Sequence, residues 1–161
     1  MAKAQMTDAV TGTGTEALEG AALSLRVFMV ENHADTREFL TFLLEELGHH
    51  VMVADTMTKA LREVPLSDSD VLISDIGLPD GDGWELLSRL NLPHPIYAIA
   101  MSGFGTASDR ARSKAAGFRH HLVKPMGLEQ LETILNDAAE ELRGANERRA
   151  RRSSVGRKSR C

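Results

Sequence analysis

The chain has few cysteines, few aromatic residues and no long apolar runs. Its one cysteine, Cys161, excludes an internal disulfide framework and agrees with a reducing, cytoplasmic setting. No apolar run approaches the roughly 20 residues that a transmembrane helix needs. The segment from Met1 to Val10 also lacks the apolar stretch of a secretory signal. We therefore expect a soluble cytoplasmic protein with no membrane association.

Charge is plentiful but unevenly distributed along the chain. The 161 residues contain 19 Lys and Arg against 23 Asp and Glu, a formal net charge of −4. Residues 143–161 hold seven Arg and Lys158 against Glu147, a net charge of +7, so residues 1–142 carry −11. The apolar fraction of 42% is that of a globular protein with room for one core. The composition indicates an acidic folded body with a short basic tail.

From Leu25 onward, short apolar runs alternate with segments of helical periodicity. Strands are predicted at residues 26–30, 50–53, 71–74, 96–101 and 121–123. Helices are predicted at residues 35–47, 58–64, 84–90, 108–116 and 128–142. The first helix places five apolar residues on one predicted buried face: Phe39, Leu40, Leu43, Leu44 and Leu47.

Five strand–helix units predict an α/β fold. Strands that read as continuous apolar runs are buried on both faces, and helices between them indicate parallel pairing. Right-handed crossovers then give a three-layer α/β/α sandwich around a five-stranded parallel sheet of order 2-1-3-4-5, as in flavodoxin-like folds. We expect a flexible segment at residues 1–24, a folded domain at 25–142 and a disordered, Arg-rich tail at 143–161.

Polar residues directly follow four of the predicted strands: Glu31-Asn32, Asp75, Ser102-Gly103 and Lys124-Pro125. Ligands of such folds bind at the carboxyl ends of the strands, so we expect these groups to converge on one pocket. Two neighbouring carboxylates repel each other and favour a divalent cation with oxygen ligands, such as Mg²⁺. A lysine, a hydroxyl and a glycine N–H suit a phosphoryl group. Asp75 could then act as a carboxylate nucleophile that forms an acyl phosphate.

Four stretches at these strand ends resemble the receiver domain of two-component response regulators, the CheY-like family: residues 30–38, 72–83, 101–105 and 121–125. The resemblance extends from about Leu25 to Leu142. It implies that Asp75 accepts a phosphoryl group from a histidine kinase or a histidine phosphotransfer protein. The protein would then signal by contact with a downstream protein target. It would be a switch rather than an enzyme, with at most slow autodephosphorylation.

The resemblance also implies a Mg²⁺ site. Glu31, Asp75 and the Gly77 carbonyl would hold the cation, with Asn32 in the place of a second acidic residue. Asn32 removes one negative charge from this site, so we expect weaker Mg²⁺ binding than in relatives with two acidic residues. An alternative that stays open is a degenerate receiver, which acts as a phosphorylation-independent interaction module.

The phosphoryl group would be surrounded, by the same resemblance, by five residues: Ile76, Gly77, Ser102, Gly103 and Lys124. Ser102 would move onto the phosphoryl group and Lys124 would pair with it. His121 takes the place of the aromatic residue that turns inward when Ser102 moves. The Lys124–Pro125 peptide bond is expected to be cis in this family.

The basic tail has three possible roles: a solvated end, a contact with nucleic acid or another anionic surface, or a docking segment. It contains no aromatic residue for base stacking. The residues after Leu142 are too few for a folded output domain, so we expect a stand-alone receiver.

Overall fold

The computed structural model of the protein describes residues 23–155. Within these residues the strands are β1 (Arg26–Val30), β2 (His50–Ala54), β3 (Val71–Asp75), β4 (Gly77–Leu78), β5 (Gly81–Asp82), β6 (Tyr97–Ser102) and β7 (His120–Val123). The helices are α1 (Ala34–Glu46), α2 (Met57–Glu63), α3 (Gly83–Arg89), α4 (Ala107–Ala116) and α5 (Leu128–Val155), with a 3-10 turn at Val64–Leu66. No described helix is long and apolar enough to cross a bilayer.

The expected α/β/α fold and strand order are confirmed, because β6 and β7 are the fourth and fifth strands of the predicted order 2-1-3-4-5. The main sheet is parallel throughout and has the order β2-β1-β3-β6-β7, while β4 and β5 pair separately as a short antiparallel ladder. Every residue of β3 and β6 is buried, because helices cover both faces of the sheet centre. Strand β2 lies at an edge, where Met52 remains 46% exposed.

The core consists of two layers, one on each face of the sheet. Leu40 and Leu44 of α1 pack with α5 residues such as Leu131 and Leu135 against one face. Helices α2, α3 and α4 cover the other face, where Leu86 of α3 is fully buried. Packing of the helices against the sheet therefore fixes the positions of the strand ends and of the residues that follow them.

The short β4–β5 hairpin, which the sequence interpretation missed, anchors two helices. The Asp80 carboxylate accepts hydrogen bonds from the backbone N–H groups of Met57 and Thr58, at the start of α2. The Asp82 carboxylate accepts one from the Glu85 N–H, which caps α3. Both caps lie next to the carboxyl end of β3, so the hairpin ties this edge of the sheet to α2 and α3.

The prediction that all five apolar residues of α1 face the core is wrong for Phe39. Leu40 and Leu44 are buried, but Phe39 is 61% exposed and the neighbouring Phe42 is 60% exposed. Consecutive residues are rotated by about 100° around a helix. Since Leu40 points at the sheet, Phe39 points along the surface.

The prediction of a disordered tail is wrong for residues 143–155, because α5 continues to Val155. Arginine and alanine have high helix propensity, and a helix that is already nucleated by its packed first half extends without a new nucleation cost. The predicted flexible segment lies outside the described residues at positions 1–22, as does the tail at 156–161. Ser24 is tied to the fold by a hydrogen bond from its hydroxyl to the Gly48 carbonyl (2.6 Å).

Candidate functional site

Asp75 and Glu31 are two buried carboxylates at the carboxyl edge of the sheet. Asp75 ends β3 and is 5% exposed, and Glu31 directly follows β1 and is fully buried. One oxygen of Asp75, Oδ1, accepts a hydrogen bond from the Gly77 N–H (3.0 Å). Because β1 and β3 are neighbours in the sheet, the last residue of β3 and the residue that follows β1 lie close together.

Lys124 bridges these carboxylates. Its Nζ atom lies 2.6 Å from Glu31 Oε2 and 2.8 Å from Asp75 Oδ2. Lys124 follows β7, and its backbone N–H donates to the Ser102 carbonyl, which fixes the start of its side chain beside β6. The Lys124–Pro125 peptide bond is cis. The expected repulsion between the carboxylates is thus offset by an ammonium group, which leaves this trio a net charge of −1.

The electrostatics of the site favour the charged forms of Glu31 and Lys124. Burial alone would raise the pKa of Glu31, but hydrogen bonds from Lys124 and from the His33 backbone outweigh it and lower this pKa. Burial alone would lower the pKa of Lys124, but hydrogen bonds to Asp75 and Glu31 raise it. At neutral pH the lysine is therefore a fixed positive charge between two buried carboxylates.

The oxygen donors at this edge suit a hard divalent cation. The Asn32 Oδ1 atom is buried and accepts no hydrogen bond from any described residue, so it is an available ligand atom. Ligand atoms of Glu31, His33 and Asp75 lie within 4.8 Å of one another. Carboxylate and amide oxygens are the ligands that Mg²⁺ prefers, and the residues present fit that cation.

Two residues that sequence analysis missed shape the Glu31 loop. His33 donates its backbone N–H to Glu31 Oε1 (2.9 Å), and its Nδ1 atom lies 3.1 Å from the same oxygen. Arg37 donates to the Glu31 carbonyl oxygen (2.8 Å). Both stand within six residues of Glu31, at the start of α1, and that proximity is the signal that could have identified them.

The side chain of Ser102 and the Gly103 residue lie outside the group formed by Glu31, Asp75 and Lys124, called here the Asp75 cluster. Ser102 is buried, and its Oγ atom accepts a hydrogen bond from the Phe104 N–H (3.0 Å). Within residues 23–155, the Ser102 side chain forms no hydrogen bond with Asp75 or Lys124; only the Ser102 carbonyl contacts Lys124, by accepting from its backbone N–H. Gly103 is exposed, and a Cβ atom added there would meet open space. Ile76 lies beside them: its backbone N–H donates to Met101 and links β3 to β6.

His121 is buried and fully engaged in hydrogen bonds. Its Nε2 atom lies 3.1 Å from the Phe104 carbonyl, which can only accept, so Nε2 carries the proton. Its Nδ1 atom lies 2.7 Å from the Ser113 hydroxyl oxygen. The same hydroxyl oxygen accepts a hydrogen bond from the indole N–H of Trp84 (2.8 Å). A continuous network thus runs from α3 through α4 and β7 to Phe104, in the loop that follows Ser102.

Comparison with known proteins identifies one family. Residues 27–136 match the family profile described as "Response regulator receiver domain". The chain is 35% identical over 112 residues to the KDP operon transcriptional regulatory protein KdpE of Escherichia coli, which covers 70% of this chain and 50% of KdpE. It is 34% identical over 103 residues to a 14.6 kDa protein from the sodA1 3' region of Leptolyngbya boryana, which covers 62% of this chain and 79% of that protein.

The fold comparison agrees with the sequence comparison. A response regulator receiver domain (CheY-like) from Methylobacillus flagellatus superposes with a TM-score of 0.64 and 26% identity, over 72% of this chain and 99% of that one. The chain spans half the length of KdpE, so its similarity concerns half of that protein.

Proposed function

The chain belongs to the response regulator receiver domain family, and from that premise we propose that Asp75 is its phospho-acceptor. The observation that carries this proposal is the environment of Asp75 at the end of β3. One of its oxygens is held by the Gly77 N–H and the other by the Lys124 ammonium, in a buried site that also contains Glu31. Receiver domains are generally switches rather than enzymes, and we propose a switch here.

The proposed reaction moves one phosphoryl group. A carboxylate oxygen of Asp75 attacks the phosphorus of a phosphohistidine on a histidine kinase or phosphotransfer protein. The new O–P bond makes an acyl phosphate, and the P–N bond breaks with its electron pair returning to the imidazole. Hydrogen bonding from Gly77 and Lys124 fixes the rotation of the carboxylate before attack, which supports catalysis by positioning.

Lys124 is proposed to change its hydrogen-bond partners when the phosphoryl group is transferred. Before transfer its Nζ pairs with Asp75 Oδ2 and Glu31 Oε2. Once Asp75 is phosphorylated, its carboxyl group no longer carries a negative charge, and the phosphoryl oxygens become the stronger acceptors for the ammonium. Ile76, Gly77, Ser102 and Gly103 line the same edge and are proposed to complete the phosphoryl site.

Glu31, Asn32, Asp75 and the Gly77 carbonyl are the proposed Mg²⁺ ligands. Bound Mg²⁺ would neutralise charge on the carboxylates and on the transferring phosphoryl group. Asn32 keeps an oxygen donor in the site without adding a negative charge. Lys124 already neutralises part of the carboxylate charge, so we propose a weaker Mg²⁺ site than one with a third carboxylate.

Ser102 and His121 are proposed to carry the signal away from Asp75. Ser102 Oγ accepts from the N–H of Phe104, and the carbonyl of Phe104 accepts from His121. If Ser102 moves onto a phosphoryl oxygen, it gives up its bond to Phe104, the residue that holds the imidazole. The conformation of this loop and of α4 would then depend on phosphorylation, which presents a changed surface to a downstream protein.

Incubation with acetyl phosphate and Mg²⁺ tests the proposal by intact mass. The wild type should gain the mass of one phosphoryl group, and omission of Mg²⁺ should suppress that gain. Asp75→Asn removes the nucleophile and should gain nothing, whereas Asp137→Asn, at an exposed position of α5, should behave as the wild type. No gain of mass in either the wild type or Asp75→Asn would favour the phosphorylation-independent module, and an equal gain in both would show that another residue accepts the phosphoryl group.

A further inference from the structure

The last half of α5 is a helix that leaves the folded body. Leu131, Ile134, Leu135, Ala138 and Ala139 of its first half are buried in the core, and Leu142 is the last residue packed against it. Residues 143–155, called here the α5 extension, continue the helix for about 20 Å at 1.5 Å per residue. From Arg143 to Ser153 every residue except Gly144 is exposed.

The α5 extension carries positive charge and no apolar face. Residues 143–153 contain five arginines against one glutamate, a net charge of +4, and no apolar side chain larger than alanine. The side chains of Arg148, Arg149 and Arg152 are exposed and form no ion pair with described residues. A partner helix or a membrane interior requires an apolar face, so this surface suits a polyanion.

The α5 extension lies at the opposite edge of the sheet from Asp75. Ala145 and Arg149 line a groove together with Asp70 and Tyr97, which mark the amino ends of β3 and β6. Asp75 lies at the carboxyl ends, and the packed part of α5 spans about 22 Å between the two edges. This separation exceeds two Debye lengths at about 0.15 M salt, where each is about 8 Å. A polyanion at the α5 extension is therefore screened from the carboxylates and from any phosphoryl group on Asp75.

We propose that the α5 extension binds double-stranded DNA through its phosphate backbone. A helix is about 10–12 Å across, and the major groove of B-form DNA is about 12 Å wide, so the groove admits this helix. Arginines distributed around it then reach phosphates on both walls. Duplex RNA has a deep and narrow major groove that is a poorer fit. Single strands are usually held by aromatic stacking, which residues 143–161 lack.

The test uses fluorescence anisotropy of a labelled DNA duplex between 50 and 200 mM salt, with the full chain. If Arg148, Arg149 and Arg152 each neutralise one phosphate, they contribute about −2.7 to the slope of log affinity against log salt. Over this fourfold range of salt, that slope corresponds to about a 40-fold loss of affinity. The triple variant R148Q/R149Q/R152Q should lose this part of the slope and bind at least about tenfold more weakly at 50 mM salt.

Matched variants distinguish DNA binding at the α5 extension from attraction by the net charge of the protein. R62Q/R89Q/K114Q removes three exposed positive charges from α2, α3 and α4 and should bind as the wild type. R148K/R149K/R152K keeps the charges and should keep the salt slope. Far-UV circular dichroism of each variant should show an unchanged helix content, because Gln and Lys have helix propensities near that of Arg. Asp75→Asn should leave DNA affinity unchanged, so the two proposals can fail separately.

Three outcomes would overturn the proposal. The first is equal affinity of R148Q/R149Q/R152Q and the wild type for the duplex. The second is an equal loss of affinity in R62Q/R89Q/K114Q, which would indicate attraction by net charge alone. The third is a phosphatidylglycerol vesicle that competes the duplex off at equal phosphate concentration, which would assign the surface to a membrane instead.

Discussion

At the scale of single residues, Lys124 determines whether two buried carboxylates can coexist. Glu31 is fully buried and the Asp75 side chain is 7% exposed, so neither charge is well solvated. The ammonium lies within 2.8 Å of both. Removing one partner of a buried ion pair is costly because it leaves uncompensated charge in a region of low polarity.

Lys124→Met should lower the free energy of unfolding by about 3–5 kcal/mol at pH 7, measured by urea denaturation. Asp75→Asn removes one of the two repelling charges, so Lys124→Met in the Asp75→Asn background should cost clearly less. Exposed Lys114→Met should change stability by less than about 0.5 kcal/mol. Additive effects of Lys124→Met and Asp75→Asn would contradict the bridging role of this lysine.

The pH dependence of the free energy of unfolding should reveal the contribution of the Glu31 carboxylate. Its pKa in the folded protein is lowered, so its contribution is complete above the unfolded value of about 4.3 and is lost as the pH falls through the folded value. Unfolding measured from pH 6 to pH 3 should therefore show a steeper loss for the wild type than for Glu31→Gln. Other carboxylates with lowered pKa values, such as Asp70, contribute to both proteins. Parallel pH profiles for the wild type and Glu31→Gln would contradict a stabilising role of the Glu31 carboxylate.

The residues that converge at Asp75 were predictable because each one directly follows a strand. Parallel strands end at one edge, so Glu31, Asp75 and Lys124 had to lie together once the fold was known. The bond of Ser102 to Phe104 and the bond of His33 to Glu31 were not predictable. They depend on side-chain rotation and on the local loop backbone, which residue spacing does not specify.

At the scale of elements, the junction between β3 and α3 is tightly packed around Asp75. Gly83 begins α3, and its N–H donates to the Ile76 carbonyl (3.0 Å). A Cβ atom on Gly83 would lie 2.6 Å from the carbonyl oxygen of Asp75 and 3.1 Å from Ile76 Cδ1. The start of this helix therefore supports the backbone that presents the Asp75 carboxylate.

Gly83→Ala should destabilise the protein by about 1–3 kcal/mol and slow phosphorylation of Asp75 by acetyl phosphate. The physical reason is that backbone atoms, rather than a flexible side chain, must move to admit the methyl group. Gly103→Ala serves as the stability control, because a Cβ atom at that position meets nothing within 4 Å. Equal unfolding free energies for Gly83→Ala and Gly103→Ala would refute this packing argument.

Element boundaries show which parts of the fold the sequence specifies. Thr106 caps α4 in a capping box with Asp109, and Gly117 ends it with a positive φ of 106°, close to the predicted limits. The β4–β5 ladder was missed because its strands have two residues each, too few for a periodic signal. The phase of α1 was misjudged because Phe39 satisfies the apolar spacing without pointing at the sheet.

At the scale of the whole molecule, the two edges of the sheet have opposite character. The carboxyl edge holds the acidic Asp75 cluster, while the α5 extension leaves the amino edge with a net charge of +4 over residues 143–153. Among the residues that the structure describes, all the buried ones lie in the proposed receiver unit at residues 25–142. We therefore expect the fold to be stable without the α5 extension.

Deletion of residues 143–161 should change the free energy of unfolding by less than about 0.5 kcal/mol, because the removed side chains that are described contribute nothing to the core. Far-UV circular dichroism should show a loss of helical signal that corresponds to residues 143–155. Deletion from residue 135 onward also removes Leu135 and Ala138, and it should unfold the domain. A large loss of stability on the shorter deletion would show that the α5 extension belongs to the folded unit.

The most direct measurement maps the phosphoryl group to its residue. The protein is incubated with acetyl phosphate and Mg²⁺ and reduced with borohydride, which converts an aspartyl phosphate to homoserine. Peptide mass spectrometry should then find homoserine at position 75 and unmodified aspartate at positions 80 and 82. Homoserine at another aspartate, or unmodified Asp75 throughout, would contradict the account.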